Sequence, residues 1–86
     1  MSAQLDGIRA DIQRAAGILQ LIVGENNQLY GGMFVSEPGR PLAIGFYCRI
    51  ADGVDGKTLM DELMHWGYPC RPHADDAHCI IIYAEV

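Results

Sequence analysis

Residues 28–50 have the sequence QLYGGMFVSEPGRPLAIGFYCRI, which predicts two β-strands joined by a tight turn. The turn is EPGR at residues 37–40, where proline presets φ at the second position and glycine supplies the positive φ that a type II turn needs at the third. Branched and aromatic residues on both sides of the turn are typical of strands. The pair Gly31-Gly32 predicts a bulge or a bend in the first strand. Residues 28–50 are therefore predicted to form a β-hairpin.

An amphipathic helix is predicted on each side of this hairpin. Residues 3–23 place apolar side chains at spacings of three and four, with Ser2 as the N-cap and Gly24 as the stop signal. The second helix is predicted to begin after its N-cap, Asp55, and to run to about Trp66. Because Trp66 falls on the apolar stripe of this helix, it is predicted to belong to the core.

The last strand is predicted at residues 79–86, which begin with the apolar run CIIIYA. Such a run is typical of a strand that is buried on both faces or paired with another subunit. Residues 69–77, between the second helix and this strand, are predicted to form a polar loop. The element order is then α-β-β-α-β. It predicts an α+β fold with a three-stranded mixed sheet and two helices packed on one face.

The strand–helix–strand portion predicts a right-handed crossover, which sets the last strand parallel to the second strand of the hairpin. Two strand orders are compatible with this rule. The order 2-1-3 places the last strand beside the first, and the order 1-2-3 places it beside the second. In both, one face of the sheet is left without a helix, and we expect a partner to cover it.

Residues 1–86 are predicted to form a single compact domain. For a chain this short, the free energy gained by burying apolar surface and the free energy lost by ordering the chain are of about the same size. Help from a second subunit is therefore expected, and a homodimer is predicted.

The chain is acidic, with eleven Asp and Glu against six Lys and Arg and a formal net charge of −5. The excess is uneven, because residues 44–86 hold seven acids and three bases. No run of basic residues occurs. Nucleic-acid binding needs several Lys or Arg along a phosphate track, so direct binding of nucleic acid is not expected.

The cysteine count and the absence of long apolar runs indicate the compartment. Three cysteines are too few for a disulfide scaffold, and their odd number favours a reducing environment. Charged residues interrupt the apolar residues of the N-terminal segment, which excludes a signal-peptide core. The apolar runs are far shorter than the ~20 residues that span a membrane. A soluble cytoplasmic protein without a membrane partner is expected.

Residues 70–79, CRPHADDAHC, combine residue types that bind zinc or form a nucleophilic Cys–His pair. Zinc is not predicted, because His78 and Cys79 are adjacent and adjacent side chains of a strand point to opposite faces. Cys70 with either His73 or His78 is a possible nucleophilic pair, but any polar loop with Cys, His and Asp has this composition. The sequence therefore predicts no catalytic residues, no metal site and no cofactor.

The residues predicted to bind a partner are acidic and surround the second helix: Asp52, Asp55, Asp61, Glu62, Asp75 and Asp76. Charge complementarity of this kind speeds association with a basic partner. Trp66, Tyr68 or Tyr83 would be its aromatic anchor. The other interpretation of these carboxylates is a solvated face that keeps a small protein soluble.

Together these patterns predict a non-enzymatic, small acidic protein-binding module that acts by occupying a surface of a larger protein or protein complex. Compact acidic domains without catalytic motifs are common among phage-encoded or mobile-element inhibitors of bacterial defence complexes, including anti-CRISPR proteins, and this class is the expected one. The alternative is a small regulatory domain that binds a metal or a small molecule through the Cys70–Cys79 loop. If the acidic residues are only solvated surface, the partner is expected on the hairpin, around Tyr30, Phe34 and Arg40.

Overall fold

A computed structural model of the chain describes the backbone of residues 2–85 and the side chains of residues 10–85. The elements in chain order are α1 (Ser2–Val23), β1 (Gln28–Val35), β2 (Ala43–Arg49), α2 (Gly56–His65), β3 (Cys70–Pro72) and β4 (Cys79–Glu85). The fold class is α+β, as predicted. Ser2, predicted as the N-cap of the first helix, is instead the first residue of α1.

The predicted hairpin is confirmed, since β1 and β2 pair antiparallel. Its turn is closed by the amide of Arg40, which donates to the carbonyl of Glu37 at 3.2 Å, and Gly39 has a φ of +77°. The predicted bulge is also present. The register shifts between Gly31 and Met33, and the glycine between them has a φ of +99°. Both features follow from backbone conformations that only glycine adopts easily.

The sheet has four antiparallel strands in the order β1-β2-β4-β3, so the prediction of a three-stranded mixed sheet is wrong. The additional strand β3 lies within residues 69–77, which were predicted to be a loop. The crossover from β2 through α2 leads to β3, which runs parallel to β2 but is separated from it by β4. Because the β3–β4 hairpin reverses the chain once more, the last strand is antiparallel to β2 rather than parallel. It lies beside β2, as in the second of the two expected strand orders.

Both helices pack on one face of the sheet, as predicted. The core lies between them and the strands and is formed by these buried side chains: Leu19, Val23, Ile44, Phe46, Cys48, Ile50, Leu59, Leu63, Ile80, Ile82 and Ala84. The contributions of β2 and β4 come from alternate residues, which the register places opposite one another on the helix side. No helix among residues 2–85 lies on the other face of the sheet.

Two polar side chains fix the ends of the helices. The side-chain amide of Asn27, 5% exposed, donates to the carbonyl of Val23 at 2.6 Å, and its oxygen accepts from the amide of Ala51 at 2.8 Å. Asn27 thereby ties the end of α1 to the loop that follows β2. The predicted N-cap Asp55 is confirmed, since its carboxylate accepts from the amide of Lys57 at 3.2 Å.

Candidate functional site

The structure divides the six acidic residues predicted to bind a partner into two groups. Asp55 caps α2 and also accepts from the hydroxyl of Thr58 at 2.8 Å. Asp76 is half-buried and accepts from the amide of His78 at 2.9 Å, which closes the turn between β3 and β4. These two carboxylates therefore have structural roles.

The remaining four predicted acids are solvent-exposed: Asp52, Asp61, Glu62 and Asp75. The ion pairs found in the described residues are Arg14–Asp11 and Arg40–Glu37, so none of the four is neutralised by a salt bridge there. Asp52 lies in the loop before α2, Asp75 lies in the turn between β3 and β4, and the other two lie on α2 itself. Four carboxylates thus remain available to a cationic partner.

The prediction that Trp66 belongs to the core is wrong, because the residue is 63% exposed. A Schellman motif ends α2 at this point, in which the amides of Tyr68 and Gly67 donate to the carbonyls of Leu63 and Met64 at 2.9 and 3.0 Å. Gly67, with a φ of +90°, turns the chain so that Tyr68 packs against the core. The aromatic side chain that the core takes up at this helix end is that of Tyr68, and the indole ring of Trp66 is exposed.

Four exposed residues lie at the C-terminal end of α2: Asp61, Glu62, His65 and Trp66. We call them the α2 surface. The amide of Trp66 still donates to the carbonyl of Glu62 at 3.1 Å, so helical spacing continues and residues four apart are neighbours. The His65 and Trp66 rings meet edge to face, with their centroids 6.1 Å apart. An aromatic side chain and two carboxylates thus share one exposed patch.

The second exposed feature is the sheet face without a helix, which we call the open face. Its centre is formed by Tyr30, Met33, Tyr47, Ile81 and Tyr83, and its margins carry Arg49, Arg71 and Glu85. These positions alternate with the core positions along each strand. The open face is thus apolar and aromatic at its centre and charged at its margins.

Aromatic rings are organised across the open face. The rings of Tyr30 and Tyr47 are stacked with centroids 5.5 Å apart, and His73 approaches Tyr47 at 5.9 Å. The guanidinium of Arg71 lies 5.7 Å from the centre of the Tyr83 ring. Met33 is 69% exposed, although it occupies the middle of a strand. These side chains are placed by the sheet but covered by nothing in the described residues.

A groove of about 220 Å³ crosses the open face above Gly45, between Met33 and Tyr83. Gly45 has no side chain to fill it, and a Cβ atom at that position would lie 2.8 Å from the Cγ2 atom of Val35. The close approach of Val35 therefore requires glycine here, and the groove is a consequence of that requirement.

The hairpin residues predicted as an alternative surface are separated by the structure. Tyr30 lies on the open face, Phe34 lies on the helix side opposite Ile44, and Arg40 pairs with Glu37 at 3.6 Å in the turn. Sequence reasoning missed Tyr47, since its position was considered only as part of a strand. The alternation along residues 43–49 was the signal that would have placed it on the open face.

The cysteines of residues 70–79 point to opposite faces of the sheet. Cys70 lies on the helix side and donates to the carbonyl of Met60 at 3.4 Å, whereas the Cys79 sulfur lies 3.7 Å from the Tyr30 hydroxyl on the open face. Burial raises the pKa of Cys70, and burial raises the pKa of Cys48 to about 11. Both thiols are thus protonated at neutral pH, unlike an activated nucleophile. Within residues 10–85, no three His, Cys, Asp or Glu side chains are grouped to hold a metal ion.

Comparisons of the chain with protein-family models, with curated proteins and with solved structures found no match. In the described residues, neither helix has the length and apolar character needed to cross a bilayer. The α2 surface and the open face are therefore the features from which a function can be inferred.

Proposed function

We propose that this chain is a non-enzymatic protein-binding module that docks on a basic surface of a larger partner protein through its α2 surface. The observation that supports this function is the exposed Trp66 beside Asp61 and Glu62. Tryptophan is the residue type most enriched among those that dominate binding energy at interfaces. An exposed tryptophan beside like charges fits an anchor in a charged rim better than it fits an ordinary solvated helix.

The aromatic ring and the carboxylates have different roles in this proposal. Burying the exposed part of the Trp66 ring in a partner pocket removes apolar surface from water and lowers the dissociation rate. Asp61 and Glu62 attract a basic partner over a screening length of about 8 Å at physiological ionic strength, which raises the association rate. The uneven charge of the chain strengthens this field, because residues 44–86 carry most of the net charge.

The other predicted acids contribute to the field rather than to direct contact in this proposal. Asp52 is exposed in the loop before α2 and Asp75 is exposed between β3 and β4, whereas Asp55 caps the helix and Asp76 closes the β3–β4 turn. The narrower form of the proposal is an inhibitor of the phage or mobile-element type, similar in action to anti-CRISPR proteins, which occupies a surface of a bacterial defence complex. Small size, acidity and an exposed anchor support this form.

A second function, a regulatory domain that binds a metal or a small molecule through residues 70–79, has less support. Cys70 and Cys79 lie on opposite faces of the sheet, so they do not converge on one ligand. No observation on the described residues favours this function over protein binding.

The test captures partners on the immobilised chain, identifies a protein that is retained, and measures its association with the purified chain at two ionic strengths. We expect Trp66→Ala to raise the dissociation rate, and the double variant Asp61→Lys, Glu62→Lys to lower both the association rate and its dependence on salt. Two matched controls lie elsewhere on the surface: Leu21→Ala, which removes an apolar side chain that is 86% exposed on α1, and Glu25→Lys, which reverses an exposed acid.

The proposal fails if the Trp66 and Asp61/Glu62 variants bind the purified partner as the controls do. We do not expect unfolding of the variants to cause the changes in binding, because surface substitutions usually change the free energy of unfolding by no more than about 0.5 kcal/mol. Thermal melts of all four variants check this directly.

A further inference from the structure

Two charged residues of the open face, Arg49 and Glu85, have opposite signs and lie at opposite ends of it. The register pairs Arg49 with Cys79 at one end of the sheet and Ala43 with Glu85 at the other. Six residues of strand separate the two ends, which is about 20 Å at a rise of ~3.3 Å per residue. Neither Arg49 nor Glu85 takes part in a salt bridge with another described residue. Arg71 lies on the β3 edge, level with Ile81. The face thus has a cationic end at Arg49, an anionic end at Glu85 and a centre that is apolar except for Arg71 at its edge.

We propose that the open face is the interface of a homodimer in which two copies pack sheet against sheet, turned end for end. A two-fold axis between the sheets, perpendicular to the strands, places the Arg49 end of each copy over the Glu85 end of the second copy, where Arg49 on β2 and Glu85 on β4 lie one strand apart. The same axis buries the apolar centre, including Met33 and Tyr47, against its own counterpart. Packed sheets keep their strand directions within about 30° of each other, so the ends still meet.

The charges favour a second copy over other occupants. A surface with one cationic and one anionic end complements itself when one copy is reversed, and two-fold symmetry then forms the ion pair twice. The tyrosines and Arg71 offer stacking surfaces that nucleic-acid bases could use. The net charge of −5 opposes a polyphosphate, however, and the open face has its own anionic end.

The area of the face is sufficient for a reversible dimer. Three strands about 23 Å long and the three-residue β3 of about 10 Å, spaced about 4.8 Å apart, present roughly 380 Å² in projection, and the corrugated accessible surface is larger. Two copies would then bury on the order of 1,000 Å², which is at the lower end of specific interfaces. We therefore expect a monomer–dimer equilibrium that depends on protein concentration.

The test measures molar mass by light scattering and sedimentation equilibrium across micromolar concentrations. Met33→Lys, which places a charge in the apolar centre, is expected to give a folded monomer, because Met33 is 69% exposed in a single copy. Its matched control is Leu21→Lys on α1, where the side chain is 86% exposed and the dimer is expected to persist.

Charge exchange tests the end-for-end arrangement. Arg49→Glu and Glu85→Arg are each expected to raise the dimer dissociation constant about tenfold or more, because each creates two like-charge contacts. The double variant Arg49→Glu, Glu85→Arg restores both opposite-charge contacts and is expected to return the constant towards that of the wild type. Since the two positions are far apart within one copy, such a rescue requires contact between copies.

Four results would overturn this dimer: a monomer at every concentration, a dimer that survives Met33→Lys, a dimer lost on Leu21→Lys instead, or no rescue in the double variant. A monomer that binds a single-stranded oligonucleotide would assign the open face to nucleic acid. The proposal does not depend on the proposed function, because the α2 surface lies on the helix side. In the proposed dimer, Trp66→Ala leaves the molar mass unchanged. Molar mass therefore tests the dimer alone, and binding of the partner tests the proposed function alone.

Discussion

Phe46 and Tyr47 are neighbours in β2, yet they belong to surfaces with different roles. Phe46 is 2% exposed beneath the helices, whereas Tyr47 is 36% exposed and stacks on Tyr30. Both are aromatic and both point away from the plane of the same sheet. The difference between them is that α1 and α2 pack on one face only. One strand therefore supplies stability through its covered side and leaves its open side available for binding.

The largest expected effect distinguishes these two neighbours. Phe46→Ala is expected to lower the free energy of unfolding by about 3–5 kcal/mol, because it leaves a cavity in a packed core. Tyr47→Ala removes one cross-strand aromatic pair and is expected to cost about 1 kcal/mol or less. Urea denaturation at a concentration where the chain is monomeric measures both. Equal losses would mean that the open face is also covered in the monomer.

The next effect concerns Asn27, which ties the end of α1 to the loop after β2. Asn27→Ala is expected to cost about 1–3 kcal/mol, since the buried carbonyl of Val23 and the amide of Ala51 lose their partner. Asn26→Ala, at an exposed position next to it, is the control and should cost no more than about 0.5 kcal/mol. Chemical denaturation of the two variants gives the comparison. A neutral Asn27 variant would show that water replaces both hydrogen bonds without loss.

A smaller effect is expected at the bulge under α1. A Cβ atom on Gly32 would lie 3.0 Å from the Cγ2 atom of Ile12, whereas one on Gly39 in the turn meets nothing within 4 Å. Both glycines have positive φ, so alanine costs about 1–2 kcal/mol at either position. The additional loss at Gly32, from displacing Ile12, is expected to be about 1 kcal/mol. Equal losses in the free energy of unfolding for Gly32→Ala and Gly39→Ala, measured by thermal or urea unfolding, would mean that Ile12 moves aside at no cost.

The last effect is absent at neutral pH and is a dependence of stability on alkaline pH. Burial raises the pKa of Cys48 on the covered face to about 11. The thiol of the unfolded chain ionises near pH ~8.5. The contribution of Cys48 to the free energy of unfolding is therefore fully present below that pH, and it is lost as the pH rises towards the pKa of the folded protein. Unfolding free energies of the wild type and of Cys48→Ala, measured at several alkaline pH values, isolate the effect because other titrating groups are common to both chains. If the free energies of unfolding of the two proteins change with pH in parallel, this prediction is wrong.

Local chemistry was enough to predict the elements whose conformation depends on a few adjacent residues. The turn at residues 37–40 and the bulge at Gly31-Gly32 follow from the φ values open to proline and glycine. The cap at Asp55 follows from a side chain that satisfies free amides at a helix start. The two helices follow from apolar spacing. For the candidate site, the same chemistry located the acids and named Trp66 as an anchor, but it placed Trp66 in the core.

Interactions between distant segments decided the rest. β3 is three residues long and ends in proline, so no periodic pattern predicts it, and it exists because its backbone pairs with β4. That pairing reversed the direction expected for the last strand. At the end of α2, Trp66 is exposed, and Tyr68, after the Gly67 turn, packs against the core. The open face is exposed to solvent because both helices pack on the opposite side of the sheet. Spacing along a strand tells which residues share a face, but which face is buried depends on where the free energy of burial brings the helices.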